Sequence, residues 1–255
     1  MGNLRTDLEN EVKEILDWSI EVEDVKRVPS PQDLPLGEKA KTFETAVLYT
    51  DVQKSSYYGM KHHRRTVAKI LNAFMNGAVR IVNDNGGKVR SFNGDSILVF
   101  FDPKLDNPCN RAVKSAMELN NFLLTILRPA MKAKKLEEDF NFGVGVSVGE
   151  ILATLATKVG IRGGGNSDIL WQANATNFAA KLGDAAKKDQ DGKRIYVSRE
   201  VYHRLGKNFK YRTVKKQGWF REYEKQVLVW EELQGFRFGG KTKTVFHTDY
   251  PMPCQ

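Results

Sequence analysis

Cysteine is nearly absent from this sequence, which has only Cys109 and Cys254 among its 255 residues. Two distant thiols exclude a disulfide framework and a cysteine-based zinc site, and they favour a reducing cytoplasmic compartment. No apolar run approaches the roughly 20 residues that span a bilayer, so no membrane-spanning helix is expected. The first residues alternate between charged and apolar types, which is not the pattern of a secretory signal.

Charge is plentiful but unbalanced, since 40 Lys and Arg residues against 31 Asp and Glu residues give a net charge of +9. The basic residues cluster at 61–65, 132–135 and 210–216. Such clusters suit a solvated surface, a nucleic acid or a polyphosphate substrate. Aromatic residues are not interleaved with them as base stacking requires, so a nucleic-acid partner is not expected.

The N-terminal region predicts a helix followed by a connector. Residues 4–22 carry apolar residues at helical spacing, and the expected role of this helix is to pack on the core or on a second copy. Three prolines and a glycine mark residues 28–41 as an extended connector. The chain therefore divides into an N-terminal helix and connector (1–42), a main domain (43–233) and a tail of little periodicity (234–255).

The order of elements in the main domain predicts an α+β fold. A β-rich run is followed by an amphipathic helix, a hairpin, a second helix and a further strand, over 45–50, 61–82, 88–92 with 97–101, 110–127 and 142–148. This βαββαβ order matches a ferredoxin-like unit, whose antiparallel sheet carries its helices on one face. Further strands are predicted at 151–157, 195–197, 210–215 and 226–231, with helices at 173–182 and 199–205.

Two aspartates occupy special positions in this pattern. Asp51 ends the first core strand, and Asp95 lies in the turn between the second and third strands. The first and third strands are neighbours in such a fold, so the two carboxylates converge at one end of the sheet. With a backbone carbonyl such as that of Val52, they form an oxygen site suited to Mg²⁺ or Mn²⁺. The alternative is a turn-forming aspartate and an unrelated strand end.

Four segments, in the same order, resemble motifs of the class III nucleotide cyclases. Residues 47–52 and 86–95 are similar to the two metal motifs of that family, and residues 143–151 are similar to its strand and turn. Residues 174–182 are similar to its transition-state helix. The resemblance covers about residues 44–232 and strengthens the interpretation of the aspartates as metal ligands.

The resemblance implies a specific reaction, the cyclisation of a nucleoside triphosphate to a 3′,5′-cyclic nucleotide with release of pyrophosphate. It implies that Asp51 and Asp95, assisted by the carbonyl of Val52, hold two Mn²⁺ or Mg²⁺ ions. Asn177 would orient the ribose from the partner subunit of a homodimer. Lys181 stands where the family usually has an arginine, so the charge is kept and the bidentate fork is lost.

A further lysine is implied to contact the terminal phosphates. Either Lys215 or Lys216 resembles the family residue with that role, and the alternative for both is an exposed strand charge.

The positions that select the base depart from the purine cyclases. Ser91 stands where that family usually has a lysine or glutamate, and Leu170 where it has an aspartate, threonine or cysteine. Neither side chain can make the contacts to adenine that lysine and aspartate make in adenylate cyclases, and a base edge left unpaired is disfavoured by several kcal/mol. The residues expected to shape the base pocket are Tyr49 or Thr50, Ser91, Phe92 and Leu170.

This combination, with a single catalytic domain and a helical extension, resembles the pyrimidine cyclases of the bacterial Pycsar anti-phage systems. Their products, cyclic UMP or cyclic CMP, activate a separate effector protein. The resemblance favours UTP, while the residues themselves leave UTP and CTP open. A purine cyclase with atypical base contacts and a catalytically silent module that binds nucleotides or nucleic acid are the remaining alternatives.

Overall fold

The helices and strands were obtained from a computed structural model, which describes residues 3–35, 39–53, 60, 63–136, 140–155, 169–217 and 222–254. The α-helices are α1 (Leu4–Leu16), α2 (Arg64–Asp84), α3 (Pro108–Phe122), α4 (Arg128–Ala133), α5 (Asn174–Lys188), α6 (Arg199–Arg204) and α7 (Lys207–Lys210). A π-helical turn (Leu123–Leu127) joins α3 to α4, and a 3₁₀ turn spans Pro31–Asp33.

The strands are β1 (Glu21–Asp24), β2 (Lys39–Val52), β3 (Gly87–Asn93), β4 (Ser96–Phe101), β5 (Phe142–Leu155), β6 (Ile169–Gln172), β7 (Ile195–Ser198), β8 (Tyr211–Gln217), β9 (Glu222–Leu228), β10 (Glu231–Phe238) and β11 (Lys241–Thr248). The main sheet has the order β10-β11-β7-β5-β2-β4-β3. β1 pairs with β2 and β6 pairs with β5, while β8 and β9 form a separate two-stranded ribbon.

The predicted ferredoxin-like core is confirmed. β2, α2, β3, β4, α3 and β5 follow one another along the chain, and β2 lies between β5 and β4 with antiparallel pairing on both sides. The first and third core strands, β2 and β4, are therefore neighbours, as expected.

The central strand β2 is covered on both faces, because alternate side chains point to opposite sides of a strand. Ala46, Leu48 and Val52 pack in the cluster that contains residues of α2 and α3, which defines the α2–α3 face. The other face of the sheet is covered by α5 and is called the α5 face; β2 contributes Phe43, Val47 and Tyr49 to it. A sheet buried on both sides holds its strand ends in fixed positions.

Two regions, the N-terminal helix and β5, differ from the sequence-based expectations. The N-terminal helix ends at Leu16, residues 21–24 form β1, and no side chain of α1 is buried, so α1 does not pack on the core. The strands predicted at 142–148 and 151–157 are one continuous strand over the described residues, because β5 runs unbroken to Leu155. Among the described helices, none has the length and hydropathy needed to cross a bilayer.

The C-terminal segment also contains sheet structure that periodicity did not predict. β10 and β11 pair with each other, and β11 pairs with β7, which extends the main sheet. β10 lies at the edge and is mostly exposed, so its sequence has no clear alternation of apolar and polar residues. Only tertiary pairing identifies these residues as strands.

Candidate functional site

The two aspartates of the predicted metal site lie at the same end of the sheet. Asp51, next to the last residue of β2, is opposite Ser96 on β4 and Gly143 on β5. Asp95 directly precedes Ser96 in the turn that joins β3 to β4, and Gly94 takes the positive φ of 64° that this turn requires. The strand register therefore places Asp51 and Asp95 at the same end of the sheet, Asp51 on β2 and Asp95 in the turn that leads into the neighbouring strand β4.

The alternation of β2 separates the predicted site residues between two faces. Asp51 lies on the α5 face with Tyr49, whereas Val52 is buried in the α2–α3 core and contributes to the edge only through its backbone. Thr50 lies on the same side as Val52, and its buried hydroxyl has no hydrogen-bond partner among the described residues. Tyr49 and Thr50 are thus not brought together, and Tyr49 is the one on the side of Asp51.

Two glycines of β5 allow α5 to approach the sheet at backbone distance. A Cβ atom on Gly143 would collide with the carbonyl of Gly183 and the amide of Lys187, and one on Gly145 would collide with the carbonyl of Ala179. Because Gly143 is also opposite Asp51, this contact sets the C-terminal turn of α5 directly beside the aspartate.

Lys187, at the C-terminal end of α5, donates a hydrogen bond from its ammonium group to Oδ2 of Asp51. The side chains are 20% and 16% exposed respectively, so this ion pair is largely shielded from solvent. The same Nζ lies 3.5 Å from Oδ1 of Asp184. Burial opposes the charge of Lys187, but the hydrogen bond to Asp51 and the charges of both carboxylates outweigh it and raise the pKa of the lysine.

A polar network supports this end of the sheet. The amide of Gln53 donates to the carbonyl of Asn141 at 2.8 Å, and the Asn141 side chain donates to Oε1 of Gln53 at 3.2 Å. Arg194 donates to Oδ1 of Asn141 and to Oδ1 of Asp249, both at 2.6 Å. Hydrogen bonds therefore connect Gln53, just after β2, to Asn141 before β5, and connect Asn141 through Arg194 to the C-terminal segment.

The donor set at this edge suits a hard divalent cation. Within the part of the chain that the structure describes, no group of three or more His, Cys, Asp and Glu side chains could hold a metal ion. The Asp51 carboxylate is already bound to the ammonium group of Lys187, so a metal ion at Asp51 would compete with that lysine. Two carboxylates, backbone oxygen and substrate phosphates are ligands that Mg²⁺ uses, and Mg²⁺ rarely occupies cages made only of protein.

Asn177 and Lys181 lie on the opposite side of α5. Both are exposed, whereas Phe178, Ala179 and Leu182 between and beside them are buried. Residues four positions apart are neighbours on one helix face, so Asn177 and Lys181 present their polar groups together. The structure does not bring them to Asp51 of the same chain, since that aspartate contacts the inner side of the helix.

The other predicted base-pocket residues, Ser91, Phe92 and Leu170, lie on β3 and β6. Ser91 is opposite Leu98 on β4 and half-buried, while Phe92 and Leu170 are 57% and 51% exposed. Leu170 is opposite Thr154 on β5, next to Trp171.

Arg90 precedes Ser91 on β3 and lies near Trp171 on β6, and no sequence motif identified it as a candidate. The pairing of β3 with β4 shifts register between Val89 and Ser91, so Arg90 is the extra residue of a β-bulge. Its guanidinium lies 5.6 Å from the centre of the Trp171 ring. Its buried Nε has no hydrogen-bond partner among the described residues, and burial lowers the pKa of the side chain.

The two candidate phosphate-binding lysines lie on β8 in the separate ribbon. Lys215 is opposite Glu224, Lys216 is opposite Tyr223, and both lysines are exposed. Lys215 lines an open groove together with Lys207 and Arg212. Among the described strands, the ribbon pairs with no strand of the main sheet, so strand pairing does not bring these lysines to Asp51.

Comparison with curated proteins found relatives that are named uridylate cyclase or cytidylate cyclase. A protein from Burkholderia cepacia named uridylate cyclase is 32% identical over 212 residues, which cover 82% of this chain and 87% of that protein. A uridylate cyclase from Rhodovulum sp. (strain MB263) is 27% identical and covers 80% of this chain and 83% of the relative. A cytidylate cyclase from Escherichia coli is 23% identical over 70% of this chain and 38% of that protein. No protein-family profile matched the chain.

Comparison with solved structures found the same fold in purine cyclases. A bacterial light-regulated adenylyl cyclase matches with a TM-score of 0.63 at 16% identity, over 84% of this chain and 53% of that chain. The chain thus spans about half the length of that protein. The adenylyl cyclase CyaB from P. aeruginosa matches with a TM-score of 0.58 at 16% identity, over 82% of this chain and 95% of that one.

Proposed function

Since this chain belongs to the class III nucleotide cyclases, we propose that it converts UTP to 3′,5′-cyclic UMP and pyrophosphate. The observation that carries this proposal is the position of Asp51 near the end of β2, opposite Ser96, and of Asp95 in the turn that leads into Ser96, at the same end of the sheet. The names of the relatives with the highest identities quoted above support uracil as the base.

In the proposed reaction, Asp51, Asp95 and the carbonyl of Val52 would hold two Mg²⁺ or Mn²⁺ ions. Such ions, when bound, would lower the pKa of the ribose 3′-hydroxyl and neutralise charge on the triphosphate. The 3′-oxygen forms a bond to the α-phosphorus while the bond from that phosphorus to the bridging oxygen breaks, and pyrophosphate leaves with the electron pair. The hydroxyl proton passes to solvent or to a substrate phosphate.

The proposed active site is shared between two copies of the chain. Asn177 and Lys181 are exposed on the side of α5 that does not contact Asp51. They act on the substrate bound to the aspartates of the second copy, where Asn177 orients the ribose and Lys181 stabilises charge on the α-phosphate. Lysine supplies a point charge in this role where arginine would supply a fork. Lys215, or Lys216 beside it, contacts the terminal phosphates.

The base is selected by the residues beside the β3 bulge. Ser91 and Leu170 cannot make the contacts to adenine that lysine and aspartate make in adenylate cyclases. Arg90 offers a desolvated donor whose Nε is unpartnered among the described residues. At position 4, uracil presents a carbonyl acceptor and cytosine presents an amino donor, so a guanidinium that meets this position favours uracil. Cytidylate cyclase remains the second candidate because a relative of that name also matches.

The proposal extends to the cellular role. As in the Pycsar systems that the sequence resembles, the cyclic pyrimidine nucleotide is a second messenger. It is made in the bacterial cytoplasm during phage infection and is read by a separate effector protein.

The deciding experiment incubates the protein with each of the four ribonucleoside triphosphates and Mn²⁺ or Mg²⁺, and separates the products by chromatography. We expect cyclic UMP as the main product and none from an Asp51→Asn variant. A dominant cyclic AMP or cyclic GMP product would overturn the assignment of the base. Metal-independent binding to nucleic acid without turnover would support the silent module.

A variant of Arg90 tests the choice between uracil and cytosine. A hydrogen bond to a charged group contributes about 1.5–3 kcal/mol, so Arg90→Met should lower the preference for UTP over CTP by about tenfold or more. Lys88→Met is the matched control, because Lys88 lies on the same strand and pairs with Asp102 at 2.9 Å. An unchanged preference in Arg90→Met would remove Arg90 from base selection.

A further inference from the structure

Lys187 lies between two carboxylates at the end of the sheet where the metal site is predicted. Its ammonium group is bound to Asp51, and Oδ1 of Asp184, three residues earlier on α5, is 3.5 Å from the same Nζ. The next residue, Lys188, is bound to Asp184 at 2.7 Å and is 67% exposed. Of these two neighbouring lysines, only Lys187 contacts the aspartate assigned to the metal.

We propose that Lys187 is an internal counter-ion that occupies Asp51 in the metal-free protein and moves to Asp184 when a divalent cation binds. This inference rests on the proposed function, because it takes Asp51 as a metal ligand. An ammonium group and a divalent cation on the same carboxylate repel each other strongly at these distances. Metal binding at Asp51 therefore requires Lys187 to leave.

The structure provides both the reason for the lysine and its alternative position. A carboxylate that is only 16% exposed is costly without a compensating charge. Lys187 supplies that charge from a helix held against the sheet by the Gly143 contact. Asp184 lies one helical turn back and keeps a negative partner within reach of the displaced ammonium group. The exchange needs a side-chain rotation and no movement of the backbone.

A consequence is that the protein binds divalent cations weakly until the lysine is displaced. When a competing state is populated about ten to one, the apparent affinity for the ligand of the other state falls about tenfold. A nucleoside triphosphate brings metal-binding phosphates of its own. It would therefore help to move the metal into the site and the lysine out of it.

The test measures Mn²⁺ binding in the absence of nucleotide, by following free Mn²⁺ with electron paramagnetic resonance. Lys187→Met should bind Mn²⁺ about tenfold more tightly than the unaltered protein. The matched control is Lys193→Met, which removes the same charge from a similarly shielded lysine that pairs with Glu231, not with Asp51 or Asp184, and should leave the affinity unchanged within about twofold. Equal or weaker Mn²⁺ binding by Lys187→Met would overturn the proposal.

A second variant keeps the proposal testable if Lys187→Met does not fold. Asp184→Asn removes the alternative partner and should weaken Mn²⁺ binding, because the lysine then has only Asp51. An affinity that is unchanged or tighter than that of the unaltered protein contradicts the exchange.

An Asp51→Asn variant separates failure of this inference from failure of the proposed function. If Mn²⁺ binding does not depend on Asp51, the metal site itself is wrong. If binding depends on Asp51 but Lys187→Met and Asp184→Asn leave it unchanged, only the counter-ion role is wrong.

Discussion

The two sides of α5 differ in burial and in the residues that they contact. The inner side lies at backbone distance from β5, and its last turn carries Lys187 onto Asp51. The outer side carries Asn177 and Lys181 in solvent. One helix therefore contacts the proposed metal-binding aspartate of its own chain and presents exposed polar groups on another side. Under the proposed function those groups serve a second copy, so a single copy would hold only part of an active site.

The largest expected effect comes from replacing Asp51, the aspartate on β2 that Lys187 on the inner side of α5 contacts. Loss of metal binding removes several kcal/mol of transition-state stabilisation, so Asp51→Ala should lower turnover at least about a thousandfold. Circular dichroism should show an intact fold. Wild-type turnover in a folded Asp51→Ala protein would refute the metal assignment.

Mixing variants tests whether the two sides of α5 serve different copies. Equal amounts of Asp51→Ala and Asn177→Ala chains form mixed dimers half of the time, each with one intact site of two. We therefore expect about a quarter of the wild-type activity after mixing. Continued inactivity of a mixture that is folded and dimeric would exclude shared sites.

The next largest effect concerns the close contact that holds the inner side. Gly143→Ala forces a Cβ atom into the backbone of Gly183 and Lys187, and overpacking of this kind costs about 1–3 kcal/mol of unfolding free energy. Thermal or urea unfolding measures the loss. Gly149→Ala is the control on the same strand, because its Cβ atom would meet only the Cβ atom of Ala175, at 3.2 Å. Equal stability of the two variants would show that the contact at Gly143 is not tight.

The outer side should affect activity without affecting stability. Asn177→Ala and Lys181→Ala remove exposed side chains, so the free energy of unfolding should change by no more than about 0.5 kcal/mol. Loss of one group that stabilises the transition state should lower turnover about a hundredfold. Lys181→Arg, which restores the bidentate fork, should retain turnover. A loss of stability as large as that of Gly143→Ala would place these residues in the fold rather than in the reaction.

The smallest expected effect is a difference in thiol reactivity between the two cysteines, which tests whether the core remains closed. Cys109 is buried, and burial raises the pKa of its thiol to about 11. Cys254 is exposed. Because the thiolate is the reactive form, a thiol reagent at neutral pH should modify Cys254 and leave Cys109 unmodified in the native protein. Rapid modification of both thiols would indicate that the helix layer of α2 and α3 opens.

Much of the fold follows from local pattern, and the exceptions have physical causes. Apolar residues at helical spacing identify α2, and the turn residues around Gly94 identify the β3–β4 hairpin. β10 was not predicted because an exposed edge strand has little alternation. β5 was divided in two because Gly149 and Glu150 look like a turn in sequence, yet pairing with β2 continues through both residues.

The order of the strands and the hairpin turn predict from the sequence that Asp51 and Asp95 lie at the same end of the sheet, and the strand register agrees with that position. The group that contacts Asp51 depends on three-dimensional packing. Lys187 lies 136 positions from Asp51 along the chain, and no motif or periodicity links residues that far apart. Their contact exists because two glycines on β5 lack the side chains that would hold α5 away from the sheet.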